Sequence, residues 1–341
     1  MIKVLKHVSI WIVISLAIQF AGLYYIDKYY LKTETNFKIA KAVTKAPKKV
    51  EISINIPQDA NNINASYDGK FISYFENGIL KTMDTSNGQI NQVIPDNSNK
   101  MLYYSWVSDR HRLIIAEQPA RGSGKIQLKS YDVDKAIKNN VENITWSNAY
   151  STVSDIEISP ATNLIYVEVK RNVYKTEIYW SDVMHNVIKI PTTTSNIGNI
   201  KIIPNEDELV YEDLNANRIV STNDKVRMNF SNIKKPVILG ADEDNNVYVG
   251  NEVNGLITNI YYGDTETPTS QWQSVAVPNG VDPNNLLVTE NGVIYVNDNL
   301  KGKVTALRTN QVTSYKGTLI KMTDNVILSQ ENGKLLKTTY K

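Results

Sequence analysis

Seven times along the chain a polar turn feeds a short apolar strand. The segments are SYDGKFISYF from Ser66, VSDRHRLIIAE from Val107, SPATNLIYVEV from Ser159, IPNEDELVYED from Ile203, ADEDNNVYVGN from Ala241, TENGVIYVNDN from Thr289 and MTDNVILSQEN from Met322. Their strands begin at Phe71, Leu113, Leu164, Leu209, Val247, Val293 and Val326, at intervals of 42, 51, 45, 38, 46 and 33 residues. A β-type repeat with a period in the forties predicts propeller blades. Asp, Asn, Gly and Pro supply the backbone angles and side-chain caps of the turn. The strands that follow are nearly continuous in Ile, Val, Leu and Tyr, so both of their faces must be covered.

Each unit offers a second hairpin. In the first, Asn77-Gly78 turns into a strand over Ile79–Met83, and Ser86–Gly88 turns into another over Gln89–Ile94. The third repeats the sense with Thr176–Trp180 and Val187–Ile190. Four strands per unit is the propeller count. The last unit, from about Leu319, supplies three strands, and VEISINI at Val50–Ile56 is an orphan before the first. Pairing the two would finish a seventh blade from both ends of the domain and leave no open sheet edge. The prediction is an all-β, seven-bladed β-propeller over 50–341, with six or eight blades as alternatives. The long second unit is expected to carry an extended loop at 119–125 and a helical turn within 133–144.

Ahead of the repeats, Val8–Ile26 runs without a charge, broken only by Ser9, Ser15, Gln19 and small residues. As a helix rising about 1.5 Å per residue it matches a bilayer core. Trp11 at one end and Tyr24, Tyr25, Tyr29 and Tyr30 at the other suit the two interfaces. The run exceeds a signal-peptide core and no small-x-small cleavage site follows, which favours a retained transmembrane helix. Residues 1–7 form a short tail and 27–49 a Lys-rich stalk. Those lysines, read by the positive-inside rule alone, would keep the following domain in the cytoplasm, but long folded domains are exported despite their charge.

In SYDGKFISYFENGILKTMDTSNGQ, Ser66, Asp68, Gly69, Lys70, Asp84 and Gly88 match the TolB-type, WD-like β-propeller repeat, and Tyr67 departs at its proline. Ser159-Pro160 matches again, followed by Ala161, Thr162 and Asn163 in place of Asp-Gly-Lys. The chain therefore resembles that family over about 290 residues by pattern. The resemblance implies a bacterial envelope setting and protein contact, and it transfers no catalytic residue. It places the propeller on the extracytoplasmic side of the cell membrane.

Composition narrows the chemistry. The chain has no cysteine, which excludes disulfides, thiol nucleophiles and a lipidated cysteine. Beyond residue 49, 28 Lys and Arg face 33 Asp and Glu, so the body is mildly acidic and lacks the footprint of a nucleic-acid binder. His7, His111 and His185 accompany no Gly-x-Ser-x-Gly elbow. Oxygen-rich DEDNN, with Asp242, Asp244 and Asn246, and DLNAN at 213–217 are calcium candidates, although neither has an EF-hand's glycine and terminal glutamate. The densest basic cluster, Arg110, His111 and Arg112 with Arg121 and Lys125, is a candidate site for an anionic polymer or a partner carboxylate. Trp106, Trp146, Trp180 and Trp272 suit either a sugar-binding face or packing between blades.

These features predict a membrane-tethered binding module for a protein or cell-wall partner, single-pass in the cell membrane, with no cofactor and no assembled catalytic set. The alternative is an envelope glycan hydrolase or lyase in the funnel, drawing its acids from residues such as Glu157, Glu168 and Glu212.

Overall fold

The structure, a computed structural model, describes residues 2–29, 54–120, 124–223, 228–231 and 233–340, and within the helix the side chains of 11, 12 and 14–26. The chain divides into two units, 1–49 and 50–341. In the first, α1 covers Ile2–Tyr29 and so includes the expected span. Among the described residues no helix is long and apolar enough to cross a membrane. Residues 30–53, with most of the expected stalk, lie outside the described set.

The second unit is a mostly-β, seven-bladed propeller. Blade 1 comprises Asn61–Ala65, Phe71–Glu76, Ile79–Asp84 and Ile90–Val93, and each later blade repeats this antiparallel meander. Among the described residues blade 4 has three strands, Ile197–Ile202, Leu209–Asp213 and Arg218–Ser221. Blade 7 is closed from both ends of the domain. Strand β1, Ile54–Asn55, pairs antiparallel with Lys334–Thr339, in the register Ile54 to Leu335 and Asn55 to Lys334, and Ile56 N–H donates to Gly333 O at 2.7 Å.

The repeated turns join the first and second strand of each blade. In blade 1, Ser66 N–H donates to Phe71 O (2.9 Å), Phe71 N–H returns to Ser66 Oγ (3.0 Å), and Asp68 Oδ1 accepts from Lys70 N–H (3.0 Å). Gly69 sits at φ +68°, which a side chain would resist. The second strands are the covered ones: all five residues of Leu209–Asp213 are buried. Seven apolar clusters follow, one in each seam between blades. That between blades 7 and 1 packs Val326, Leu328 and Leu335 against Ile72, Tyr74 and Ile56.

One expectation fails. No helical turn occupies 133–144; a turn leads into the outer strand of blade 2, Ile137–Ser147. An outer strand has one covered side and tolerates Asn139, Asn140 and Asn143 facing water, so a polar stretch misleads there. Residues 121–123 of the expected loop lie outside the described set.

Candidate functional site

Because neighbouring strands run in opposite directions, the first turns of all blades gather at one end of the ring, the turn end. The second hairpins and the blade-to-blade links gather at the other, the hairpin end. The first strands line a central cavity of about 520 Å³ to which all seven blades contribute, with Tyr67, Ser108, Glu290 and Asp324 among its residues. Within it Lys201 of blade 4 reaches Glu157 of blade 3, at 3.0 Å to Oε1 and 2.9 Å to Oε2. Burial pulls the Lys201 ammonium down, but Glu157 outweighs this and raises it. Lys321 donates to Ala65 O at 3.0 Å, and burial holds its ammonium below the ordinary lysine value.

The acids that sequence offered for glycan chemistry are not paired in this cavity. Glu168 and Glu212 are buried, and each bonds a residue that a register irregularity in the first strand leaves out of the strand pairing, Ser154 and Asn199. Glu212 accepts from Asn199 N–H (3.0 Å), Asn199 Nδ2 (3.0 Å) and, across the seam, Ile238 N–H (2.7 Å). Glu168 Oε2 accepts from Ser154 Oγ at 2.6 Å while Oε1 has no partner, and burial pushes this carboxyl up to about 7. These are bonds that hold the bulged strands.

The basic cluster is divided. Arg110 makes two 2.6 Å bonds to Asp109, and Arg112 lies 3.6 Å from Asp132. His111 bridges Asp68 and Asp134 and packs against Tyr67 and Phe71. All three sit at the turn end of blade 2. Lys125 sits at the hairpin end of the same blade, over the Trp146 ring at 6.0 Å. Arg121 lies outside the described residues.

The calcium candidates cap turns. Asp242 Oδ1 accepts from the N–H groups of Asp244 (3.1 Å) and Asn246 (2.9 Å), and Oδ2 from Tyr248 OH (2.7 Å). Asp213 does likewise for Asn215 and Ala216 and binds Arg218. Both use their oxygens on N–H and O–H donors, the arrangement of Asx turns. Among the described residues no group of three or more His, Cys, Asp or Glu gathers in a way that could hold a metal ion.

Sequence reasoning missed a surface at the hairpin end of blades 2 and 3. Trp146 (68 % exposed), Tyr150 (81 %), Val173 (85 %) and Tyr174 (82 %) crowd there. Tyr150 lies in the link from Ile137–Ser147 to Thr152–Ser159, and Val173-Tyr174 is the tip of the blade 3 hairpin joining Leu164–Asn172 to Lys175–Ser181. Thr152 pairs with Lys170, which brings link and hairpin together. Arg171 ties the seam by donating to Trp146 O and to Thr145 Oγ1 (2.6 Å). The signal was in RNVYK: a hairpin tip made of Val and Tyr where Gly and Asn are the usual choice.

Beneath this patch Glu177 meets three cations, Arg171 Nε at 2.6 Å, Lys189 Nζ at 2.7 Å and Lys175 Nζ at 3.2 Å. Burial would raise the Glu177 carboxyl, but Lys189, Arg171, Tyr179 and Lys175 together hold it far below the usual range.

No protein-family model and no curated protein matches the chain. Among solved structures it is similar to a chain in the crystal structure of the Mitotic Checkpoint Complex, with a TM-score of 0.53 and 11 % identity over 85 % of this chain and 90 % of that one. At that identity the likeness is one of fold: the chain is a seven-bladed β-propeller resembling a WD40-type propeller.

Proposed function

We propose that this protein is an interaction scaffold, a propeller tethered to the cell membrane through Val8–Ile26, which displays the hairpin end of blades 2 and 3 to a protein partner on the extracytoplasmic side. One observation carries the reading: Trp146, Tyr150, Val173 and Tyr174 stay open at one place, while the acids offered for chemistry are engaged in holding the fold. Clustered exposed aromatics are what interfaces bury. A closed ring holds such a surface on a rigid base. The solved chain of similar shape belongs to a complex, which supports a scaffold role without naming a partner. The tether rests on the uncharged run and on the exposed Trp11, Ile18, Phe20 and Leu23 of α1.

A photo-crosslinking residue at position 174 of the full chain, in its native cells, should yield a defined protein adduct that the same residue at Thr309, on blade 6, does not. Absence of any protein adduct at 174 overturns the scaffold reading. Protease added to intact cells should digest the propeller; its protection would place the ring on the other side.

A further inference from the structure

We infer that the hairpin end of the blade 2–blade 3 seam docks a short acidic protein segment carrying aromatic or large aliphatic anchors. This rests on the scaffold reading and names its partner by chemistry. Three cations converge on the single carboxylate of Glu177, which leaves a local surplus of two positive charges. Lys175 and Lys189 are each about half exposed, at 54 % and 53 %, so the surplus reaches the surface. Exposed Lys125 over Trp146 adds to it. The nearby carboxylate Glu142, bonded to His185 at 3.0 Å, offsets one of these charges and leaves the patch positive.

This surplus stands in a body of opposite sign, since the chain beyond residue 49 carries 33 acidic against 28 basic residues. The contrast selects the size of the partner. A membrane or a long polyanion meets the whole body and is repelled by it, whereas a short segment feels only the field within a screening length of about 8–10 Å. Carboxylates of such a segment would pair with Lys175 and Lys189, as opposite charges across an interface do. Its apolar side chains would cover Val173, Tyr174, Tyr150 and Trp146, which nothing in the described chain covers. Arg171, bonded to Glu177, Thr145 and Trp146, fixes the floor beforehand, so little ordering is left to binding.

The test uses the full-length chain and a short fluorescein-labelled peptide rich in Asp and Glu with aromatic anchors. The same peptide with its acids replaced by Asn and Gln, and phosphatidylglycerol vesicles, are compared by anisotropy and co-sedimentation. The acidic peptide should bind at least about tenfold more tightly than its amide counterpart, and the preference should shrink as salt rises. Tyr174→Ala, and Lys175→Gln combined with Lys189→Gln, should each weaken it by about tenfold, while Lys301→Gln with Lys316→Gln should not. Arg171 stays on Glu177 in the double variant and Tyr174 is a surface tip, so both proteins should keep the parent circular dichroism.

Equal binding of the two peptides overturns the inference. So does vesicle binding lost in these variants without any peptide binding, which would make the surface a lipid contact. If crosslinking at position 174 captures a partner through a neutral segment, the inference falls and the scaffold reading stands; if it captures no protein, both fall.

Discussion

His111 Nε2 lies 3.0 Å from Asp68 Oδ2, and this contact joins the first turns of blades 1 and 2. Burial would raise the Asp68 carboxyl, but Lys70 N–H, His111 and Ser66 hold it below the ordinary value of 3.8. Asp134, on the other ring nitrogen at 2.6 Å, is lowered by Lys70 and His111 against the opposing pull of burial. An acid whose folded pKa is depressed stabilises the fold above its unfolded pKa, and that stability is lost as pH falls through the folded value. Asp68→Asn should therefore cost about 1 kcal/mol at neutral pH and progressively less below pH 3.8, a modest figure because 35 % of the side chain is open to solvent. Urea titrations of parent and variant from pH 7 to pH 3 check it; a gap that does not narrow in acid would sink this account.

Glu168 works in the opposite sense. Its carboxyl is raised by burial from 4.5 to about 7, so the folded state favours the proton and the contribution of this group is greatest below 4.5, declines to about 7 and is flat above. Glu168→Gln should remove that decline, shifting the variant's stability relative to the parent by about 3 kcal/mol in its favour between pH 4.5 and pH 8. The readout is the pH slope, which does not depend on any fixed cost of the amide.

Ring closure rests on very little chain. Ile56 is buried in the seam of blades 7 and 1 and its N–H holds Gly333 O. Ile56→Ala should cost about 2–4 kcal/mol. Unfolding followed by Trp fluorescence and by circular dichroism should report one loss; no change would mean that β1 is a passive edge.

Two glycines separate backbone strain from contact. Gly255 (φ +81°) has open space where a Cβ would stand, whereas at Gly292 (φ +73°) it would lie 2.7 Å from both Asp242 Oδ2 and Tyr248 OH. Gly255→Ala should cost about 1–2 kcal/mol for the left-handed backbone alone. Gly292→Ala, in blade 6, should cost about 1–3 kcal/mol more, because it also crowds the Asp242–Tyr248 bond within the neighbouring blade 5. Thermal melts of the pair give the difference directly.

Blade number, the covered second strands and closure by the segment before blade 1 were legible because each is written locally, in a turn such as SYDGK and the four or five apolar residues after it. The destinations of Glu168 and Glu212 were not. Which residue a bulge in Thr152–Ser159 or Ile197–Ile202 leaves out of the pairing depends on strand register, and Ile238 belongs to the neighbouring blade. Arg110 and Lys125 are close in sequence but separated by the length of Arg112–Gln118, and a count of basic residues ignores that direction. The Trp146–Tyr174 surface lay in plain view as an apolar hairpin tip, yet its basic floor needed Lys189, on the next strand, to fold back onto Glu177.

The clasp between β1 and Lys334–Thr339 also sets an order of events during synthesis. Blades 1 to 6 can pair as they leave the ribosome, but the first blade keeps one flank bare until the final strand has emerged, some 280 residues after Ile54 was made. A nascent ring thus spends nearly its whole translation with Ile72 and Tyr74 seeking a neighbour, the interval in which a chaperone has most to guard.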